Sequence, residues 1–200
     1  MLKLGLTGNI ASGKSTVGKI FESLGAYYFD ADKIIKSFYK KDHSVYYEIL
    51  KHFGEEILDP SGEINRGILA NLVFSDQKKL KKLEEITHSA LYEHLNRNFL
   101  TLPESSIVVV EAALIIEKQT YKNYDAIILV YSTFEDCLLR ATLRGMSAED
   151  FLRRWRYQLS PEIKTRFAHF IIKNSSSLKE LSLRAKEVFD IFRLWSVLKS

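Results

Sequence analysis

Eight consecutive residues near the start of the chain have the types and spacing of a phosphate-binding loop. Residues 8–15 read GNIASGKS and fit the pattern G-x-x-x-x-G-K-[ST]. In such a loop the glycines let the backbone approach a phosphate, and the loop N–H groups donate to its oxygens. Lys14 has the position of the side chain that reaches the β- and γ-phosphates, and the Ser15 hydroxyl has that of a Mg²⁺ ligand. The octet therefore predicts that the chain binds the phosphates of a nucleotide.

The segments on either side of this loop have the patterns that the motif requires. Residues 2–7 (LKLGLT) form a short apolar run, which is typical of a buried strand. After the loop, apolar residues at 17, 20, 21 and 24 recur with the spacing of one helix face. We therefore expect a strand, a loop and a helix in that order. The residues predicted to contact the nucleotide here are Gly8, Ala11, Ser12, Gly13, Lys14, Ser15 and Thr16.

Apolar runs elsewhere in the chain predict the rest of the fold. They cover residues 2–7, 26–29, 107–110, 126–131 and 169–172, and helical patterns lie between them. Strands that alternate with helices build a parallel sheet with helices on both faces. The predicted fold class is therefore α/β, a three-layer P-loop fold with a five-stranded parallel sheet.

Two stretches interrupt this alternation. Residues 33–102 carry helical periodicity and no strand pattern, which predicts a helical substrate-binding insertion. Residues 145–167 are basic and join a helix to the last strand, which predicts a lid. We expect a single domain over residues 1–200, with a core made of 1–32, 103–144 and 168–200.

Carboxylates follow two of the predicted strands. Because the carboxyl ends of parallel strands form the ligand crevice, Asp30, Asp32 and Glu111 are expected near the loop. A phosphate-binding core with a helical insertion and a basic lid is the layout of small P-loop kinases. Such a kinase needs a carboxylate that orients or deprotonates the acceptor hydroxyl, and Asp32 is the candidate. Asp32 can also cap a helix over 33–40, and the two roles can coexist. Glu111 is either a residue that holds Mg²⁺ through water or one more loop carboxylate, and Glu117 is a candidate on the substrate side.

Arginines are concentrated in one part of the chain. Six of the ten lie between positions 140 and 166, namely Arg140, Arg144, Arg153, Arg154, Arg156 and Arg166. Arginine presents planar, bidentate donors to phosphate oxygens. Arg140 and Arg144 have i,i+4 spacing and share one helix face, which favours a role at the nucleotide. The alternative for the whole cluster is a solvated helix face.

The composition limits the kinds of partner. The chain has 200 residues and a formal net charge of +4, which suits anionic ligands without indicating a nucleic acid. No run of 18 apolar residues exists, so we expect no membrane span. A single cysteine, Cys137, fits a reducing cytoplasm. We expect a monomer or a weak homo-oligomer.

Taken together, these motifs resemble those of the dephospho-coenzyme A kinases, and the resemblance covers nearly the whole chain. The matching segments are 5–17 (GLTGNIASGKSTV), 29–34 (FDADKI), 62–69, 74–76, 83–88, 140–145 with Gln158, and 172–174. The resemblance implies that ATP, with Mg²⁺, phosphorylates the ribose 3′-hydroxyl of dephospho-coenzyme A. It further implies that Asp32 is the acceptor-side base, that Arg140 contacts phosphate and that Asn174 neighbours the adenine. The resemblance also implies that Arg66 and His88 contact the substrate.

The chain departs from the usual family pattern at several positions, including Asn9, Ser89, Glu111 and His169. Two alternatives stand beside the resemblance. One is a P-loop kinase for another small acceptor, such as a nucleoside monophosphate or shikimate, although the long insertion favours a bulky acceptor. The other is a GTPase-like switch, which would need an Asn-Lys-x-Asp motif that the sequence lacks.

Overall fold

The computed structural model of the chain describes residues 1–199. These residues form two compact units. The first, called the core unit, comprises Met1–Asp30 and the chain from Pro103 onward, and the second, called the helical unit, is Ala31–Leu102. Each unit has its own cluster of buried apolar side chains. The helices are α1 (Lys14–Ser23), α2 (Ala31–Ser37), α3 (Ser44–Phe53), α4 (Arg66–Phe74), α5 (Gln77–Leu100), α6 (Phe134–Leu143), α7 (Ala148–Arg156), α8 (Pro161–Thr165) and α9 (Leu178–Lys199).

The core unit is built on five parallel strands, which confirms the predicted α/β class. They are β1 (Leu2–Thr7), β2 (Tyr27–Asp30), β3 (Ile107–Glu111), β4 (Ala126–Tyr131) and β5 (Phe170–Lys173). Their order across the sheet is β2-β3-β1-β4-β5. The chain runs from β1 to β2 toward one edge of the sheet and from β3 to β4 toward the other edge. The direction in which successive strands are added therefore reverses between β1 and β3. Ligands of open parallel sheets bind at such a point, beyond the carboxyl ends of the strands.

Apolar side chains of the strands pack against α1 and α9. Leu4 and Leu6 of β1 are fully buried and belong to the same cluster as Val17 of α1. The rings of Phe21 and Phe189 stack with their centroids 5.3 Å apart, which joins the two helices. Burial of each such side chain stabilises the fold by about 1.5–3 kcal/mol. This packing fixes the direction in which β1 delivers the loop that follows it.

The helical unit consists of α2 to α5 and a short 3-10 turn at Glu55–Ile57. In this described part of the chain the only extended pairing is a single antiparallel bridge between Leu58 and Ile64. Phe38, Ile49 and Ile86 are buried together between the helices. The side chain of Asn65 begins α4 by accepting the N–H groups of Gly67 and Ile68 at 3.0 and 3.1 Å. This segment thus folds into helices, as its helical periodicity predicts.

The predicted lid segment, residues 145–167, contains α7 and α8 and lies in the core unit. Phe151 of α7 is fully buried, and Phe134 and Trp155 pack edge-on with a ring-centroid separation of 5.1 Å. The same cluster includes Ile10 and Ala11 of the phosphate-binding loop. The apolar face of α7 therefore packs against that loop, and its arginines lie on the other faces. Within residues 1–199, none of the helices is long and apolar enough to cross a membrane.

Candidate active site

The backbone of residues 8–13 turns sharply where β1 ends. Gly8 and Gly13 have positive φ values of 152° and 102°, and Ala11 has φ 59°. A Cβ atom on Gly8 would lie 2.5 Å from the carbonyl oxygen of Val130 and 2.6 Å from the Ser12 hydroxyl. Only glycine therefore fits between the ends of β1 and β4. Ala11 holds a left-handed conformation that costs a residue with a Cβ about 1 kcal/mol or more, a strain typical of ligand-binding loops.

The loop leads directly into the N-terminus of α1. Gly13 is the N-cap of this helix; no side chain caps it within the described chain, and its first turn carries no acidic residue. The first N–H groups of a helix point outward and carry partial positive charge, so they form an anion site. The Ser12 hydroxyl is buried and has no hydrogen-bond partner within residues 1–199. The local structure is that of a site built to receive phosphate oxygens.

Lys14 lies inside this turn. Its residue is 8% exposed, and its ammonium donates to the carbonyl oxygen of Asn9 at 3.1 Å. That carbonyl also accepts the N–H of Ser12 at 3.1 Å. The loop backbone thus holds the Lys14 ammonium against the concave side of the turn, where a bound phosphate would meet it.

Ser15 and Glu111 form the oxygen-donor pair of the site. The Ser15 hydroxyl donates to Glu111 Oε1 at 2.8 Å, and the Tyr28 hydroxyl donates to Glu111 Oε2. Glu111 is the last residue of β3 and is paired in register with Leu6 of β1 and Asp30 of β2. A hydroxyl and a carboxylate next to a phosphate site are the hard oxygen donors that Mg²⁺ prefers. The residues present therefore fit this metal, although residues 1–199 contain no cluster of three or more His, Cys, Asp or Glu side chains that could hold a metal on its own.

Burial disfavours the charged form of Glu111, and neighbouring side chains favour it. Burial raises the pKa of the Glu111 carboxyl, whereas the Tyr28 hydroxyl, Lys14 and Ser15 act in the opposite direction. Burial likewise raises the pKa of the Tyr28 phenol far above its usual range, and the hydrogen bond to Glu111 adds to this, so Tyr28 stays a donor. A buried carboxylate that lacks a full counter-charge is a site where a bound cation gains affinity.

Arg140 makes three hydrogen bonds that join three loops. Its guanidinium donates to the Ser132 hydroxyl at 2.7 Å, to the carbonyl oxygen of Asn174 at 2.6 Å and to that of Ala11 at 3.3 Å. The Asn174 side chain in turn donates to the carbonyl oxygen of Ser12 at 2.8 Å. Arg140 and Asn174 therefore lie beside the phosphate-binding loop. In this structure their side chains fix the loop backbone.

Arg144 lies at the mouth of the same site. It is the C-cap of α6 and is exposed. Together with Ser15, Thr16 and Lys19 of α1 and with Leu178 of α9, it lines a cleft of about 470 Å³. The structure thus brings Arg144 and Thr16 together in a cleft that Ser15 also lines. Arg153 and Arg154 of the lid segment instead pair with Asp150, at 2.5 and 3.0 Å, on an exposed surface.

Glu117 was expected on the substrate side, and the structure gives it buried partners in the core unit. Its Oε1 lies 2.9 Å from the ammonium of Lys164 and accepts the N–H of Leu159 at 2.8 Å. Lys164 itself is fully buried. Glu117 therefore links the segment after β3 to the lid segment.

The remaining expected residues belong to the helical unit. Asp32 is exposed and lies in the first turn of α2, which begins at Ala31 rather than at residue 33. Asp32 is therefore inside the helix rather than its cap, and its charge there suits the positive end of the helix. Arg66 is the exposed first residue of α4, and His88 is exposed on α5, which packs against α4.

The parallel sheet, the phosphate-binding loop and the Ser15–Glu111 pair define a kinase of the P-loop class. Comparison with known proteins agrees. The model of the dephospho-CoA kinase family matches residues 2–180, and the chain belongs to that family. A dephospho-CoA kinase from Aquifex aeolicus is 51% identical over 190 residues, which covers 95% of this chain and 97% of that protein.

Solved structures give the same result for the fold. A Thermus thermophilus protein designated TT1252 superposes with a TM-score of 0.82 at 31% identity, covering 94% of this chain and 96% of the other. The dephospho-CoA kinase from Campylobacter jejuni superposes with a TM-score of 0.69 at 29% identity, with 96% of each chain covered.

Some residues of this site have no signal in the sequence that would have identified them. Tyr28 was part of a predicted strand, and its contact with Glu111 spans 83 positions of the chain. Lys164 is one of many lysines, and its complete burial depends on how the lid segment packs. Ser132 differs from these two residues, because it directly follows β4. Its position at the carboxyl edge of the sheet is a sequence signal that could have placed it near the site.

Proposed function

We propose that the protein transfers the γ-phosphate of ATP to the ribose 3′-hydroxyl of dephospho-coenzyme A, giving coenzyme A and ADP. The observation that carries this proposal is the phosphate site of Lys14, Ser15 and Glu111 in a chain that belongs to the dephospho-CoA kinase family. Phosphoryl transfer needs positioning and charge neutralisation more than covalent chemistry, and this site provides both.

The core unit binds and orients the phosphates. The N–H groups of the loop and of the first turn of α1 donate to phosphate oxygens, and the Lys14 ammonium leaves the Asn9 carbonyl to neutralise the β- and γ-phosphates. The Ser15 hydroxyl, and Glu111 through water, would hold Mg²⁺. When bound, this ion screens the negative charge that develops on the phosphate oxygens.

The helical unit provides the acceptor side. β2 ends at Asp30, and Asp32 follows two residues later in the chain, in the first turn of α2. We assign Asp32 as the group that orients the 3′-hydroxyl and accepts its proton. Arg66 and His88, both exposed on this unit, are assigned to the acceptor, and the insertion 33–102 is its binding region.

The lid segment excludes water from the reacting phosphate. Its exposed arginines, including Arg153 and Arg156, line an open cavity of about 950 Å³ with Tyr157. A basic surface that closes over triphosphate prevents wasteful hydrolysis and stabilises the transferring group. We further propose a cytoplasmic protein that is a monomer or a weak homo-oligomer.

The decisive experiment measures steady-state ADP release from Mg·ATP with and without dephospho-coenzyme A. We expect strong stimulation by the acceptor and, by mass spectrometry, a product that carries one additional phosphate at the 3′ position. Lys14→Ala should abolish turnover, because it removes the charge that meets the β- and γ-phosphates. Lys122→Ala, an exposed lysine in the turn Thr120–Asn123, is the matched control and should leave turnover unchanged.

Two outcomes would contradict the proposal. If the folded protein binds ADP but the acceptor does not stimulate its release, the acceptor is a different hydroxyl compound. If Lys14→Ala turns over like the wild type, the phosphate-binding loop is not where the reaction occurs.

A further inference from the structure

A fully buried lysine in the lid segment has no part in the mechanism described so far. Lys164 of α8 is 0% exposed, and its ammonium donates to the carbonyl oxygen of Ala113 at 2.9 Å. The same ammonium lies 2.9 Å from Glu117 Oε1, and the Glu117 side chain is 12% exposed. Burial lowers the pKa of Lys164, whereas Glu117 acts in the opposite direction and favours the charged form. An ion pair in this position is costly to bury, so its geometry calls for an explanation other than stability.

The ion pair holds one end of a continuous chain of hydrogen bonds. Glu117 Oε1 accepts the N–H of Leu159 at 2.8 Å. The carbonyl oxygen of Leu159 accepts the Asn9 side-chain amide at 3.0 Å. The Asn9 carbonyl then accepts the Lys14 ammonium at 3.1 Å. One path of side chains and backbone groups thus runs from Lys164 to the lysine of the phosphate-binding loop.

A second contact joins the same two segments. The N–H of Ile10 donates to Gln158 Oε1 at 2.9 Å. Residues 158 and 159 are therefore bound on one side by the loop residues Asn9 and Ile10, and on the other side by Glu117. Asn9 is 2% exposed, so little solvent reaches its side chain to replace the Leu159 carbonyl as a partner. The position of the loop backbone depends on where the Gln158–Leu159 backbone is held.

We infer that Glu117 and Lys164 are positioning residues for nucleotide binding: their buried ion pair fixes Leu159, and Leu159 fixes the loop that presents Lys14. This inference rests on the proposed function, because it concerns the nucleotide site of that function. Buried networks of this kind modulate binding at a site that their members do not touch.

The test measures ADP affinity by isothermal titration calorimetry on folded variants. Lys164→Met leaves the Glu117 charge unpaired, and we expect ADP to bind about tenfold more weakly. Lys122→Met is the matched exposed control and should bind ADP like the wild type. Wild-type affinity in folded Lys164→Met would overturn the inference.

Two double variants separate positioning from folding, because neither leaves a buried charge unpaired. In Lys164→Met with Glu117→Gln, an amide oxygen still accepts the Leu159 N–H, and we expect affinity within about threefold of the wild type. In Lys164→Met with Glu117→Leu, that acceptor is gone, and we expect about tenfold weaker binding. Equal ADP affinity in the two double variants would show that the Leu159 hydrogen bond does not position the loop, even if Lys164→Met alone fails to fold.

Steady-state kinetics provide the second readout. The double variant that carries Glu117→Leu should have a raised KM for ATP and an unchanged KM for dephospho-coenzyme A, whereas a general loss of stability would not select one substrate. If both KM values rise together, the ion pair has only a structural role. Failure of the proposed function is a separate result, since it would appear as a wild-type protein that the acceptor does not stimulate.

Discussion

Arg140 offers the sharpest test of how the nucleotide site is held together. Sequence reasoning assigns this residue to phosphate, yet its guanidinium donates to the Ser132 hydroxyl and to the carbonyl oxygens of Asn174 and Ala11. Two of these bonds, at 2.7 and 2.6 Å, are short, and the third, at 3.3 Å, is long. Arg140→Met removes all three, whereas Arg140→Lys keeps the charge but replaces a planar fork with a single ammonium.

The magnitude follows from these distances. A hydrogen bond from a charged donor contributes about 1.5–3 kcal/mol to stability. Loss of both short bonds in Arg140→Met should therefore lower the free energy of unfolding by about 4 kcal/mol. Arg140→Lys can keep one of them, so about 2 kcal/mol is expected for that variant. In a chain of this size each kcal/mol lowers Tm by about 2–4 °C. Arg140→Met should thus melt roughly 8–16 °C below the wild type.

The assay is urea and thermal unfolding without nucleotide. Arg144→Met is the matched control, because Arg144 is the exposed C-cap of the same helix, and its change should stay within about 0.5 kcal/mol. Turnover is then measured well below each Tm. If Arg140→Met unfolds like the Arg144→Met control, the three hydrogen bonds do not hold the loops. Arg140 then acts on phosphate alone.

Three further predictions concern the carboxylates. Burial raises the pKa of the Glu111 carboxyl, so the folded chain binds a proton there more tightly than the unfolded chain, and stability is lost as pH rises from the ordinary carboxyl range through the folded-state pKa. Glu111→Gln should therefore have a higher free energy of unfolding than the wild type in urea at pH 8, and a lower value would contradict this reasoning. Turnover of the same variant should fall about a hundredfold. Tyr28→Phe removes the donor to Glu111 Oε2 and should cost about 1–3 kcal/mol of stability, an effect that must shrink in the Glu111→Gln background if the hydrogen bond is the cause. Asp32→Asn should keep ADP affinity and lower kcat about a hundredfold. Near-normal turnover would show that Asp32 is not the catalytic base.

The fold was predictable because its signals are local. β1 and β4 have the predicted bounds, β3 ends one residue later than predicted, and β2 and β5 begin and end one residue later. The phosphate-binding loop needs glycine where the backbone turns, and those positions are visible in the sequence as Gly8 and Gly13. Strand periodicity and turn chemistry are properties of short segments, so the sequence reveals them directly.

The partners of the site residues were not predictable in the same way. Glu111 was placed at the end of β3 from its position, but the Tyr28 hydroxyl that holds it comes from another strand. Glu117 was a candidate for the substrate side, but its contact with Lys164 depends on the path of the lid segment. Which side chains meet is decided by tertiary packing over long stretches of chain, which a motif does not encode.

Buried polar residues, which lower stability because they must be desolvated, are concentrated around the candidate site. Most polar residues buried in the structure lie at the carboxyl ends of the strands or in contact with the segments that follow them: Thr7, Asn9, Ser12, Lys14, Glu111, Ser132, Lys164 and Asn174. Packing alone would favour apolar residues there, because every buried polar group must be desolvated. Since the buried Ser12 hydroxyl has no partner within residues 1–199, and burial raises the pKa of the Glu111 carboxyl, binding of nucleotide with its metal should compensate both. The free energy of unfolding should therefore rise with ligand concentration as mass action requires, by about 2.7 kcal/mol at a hundred times Kd.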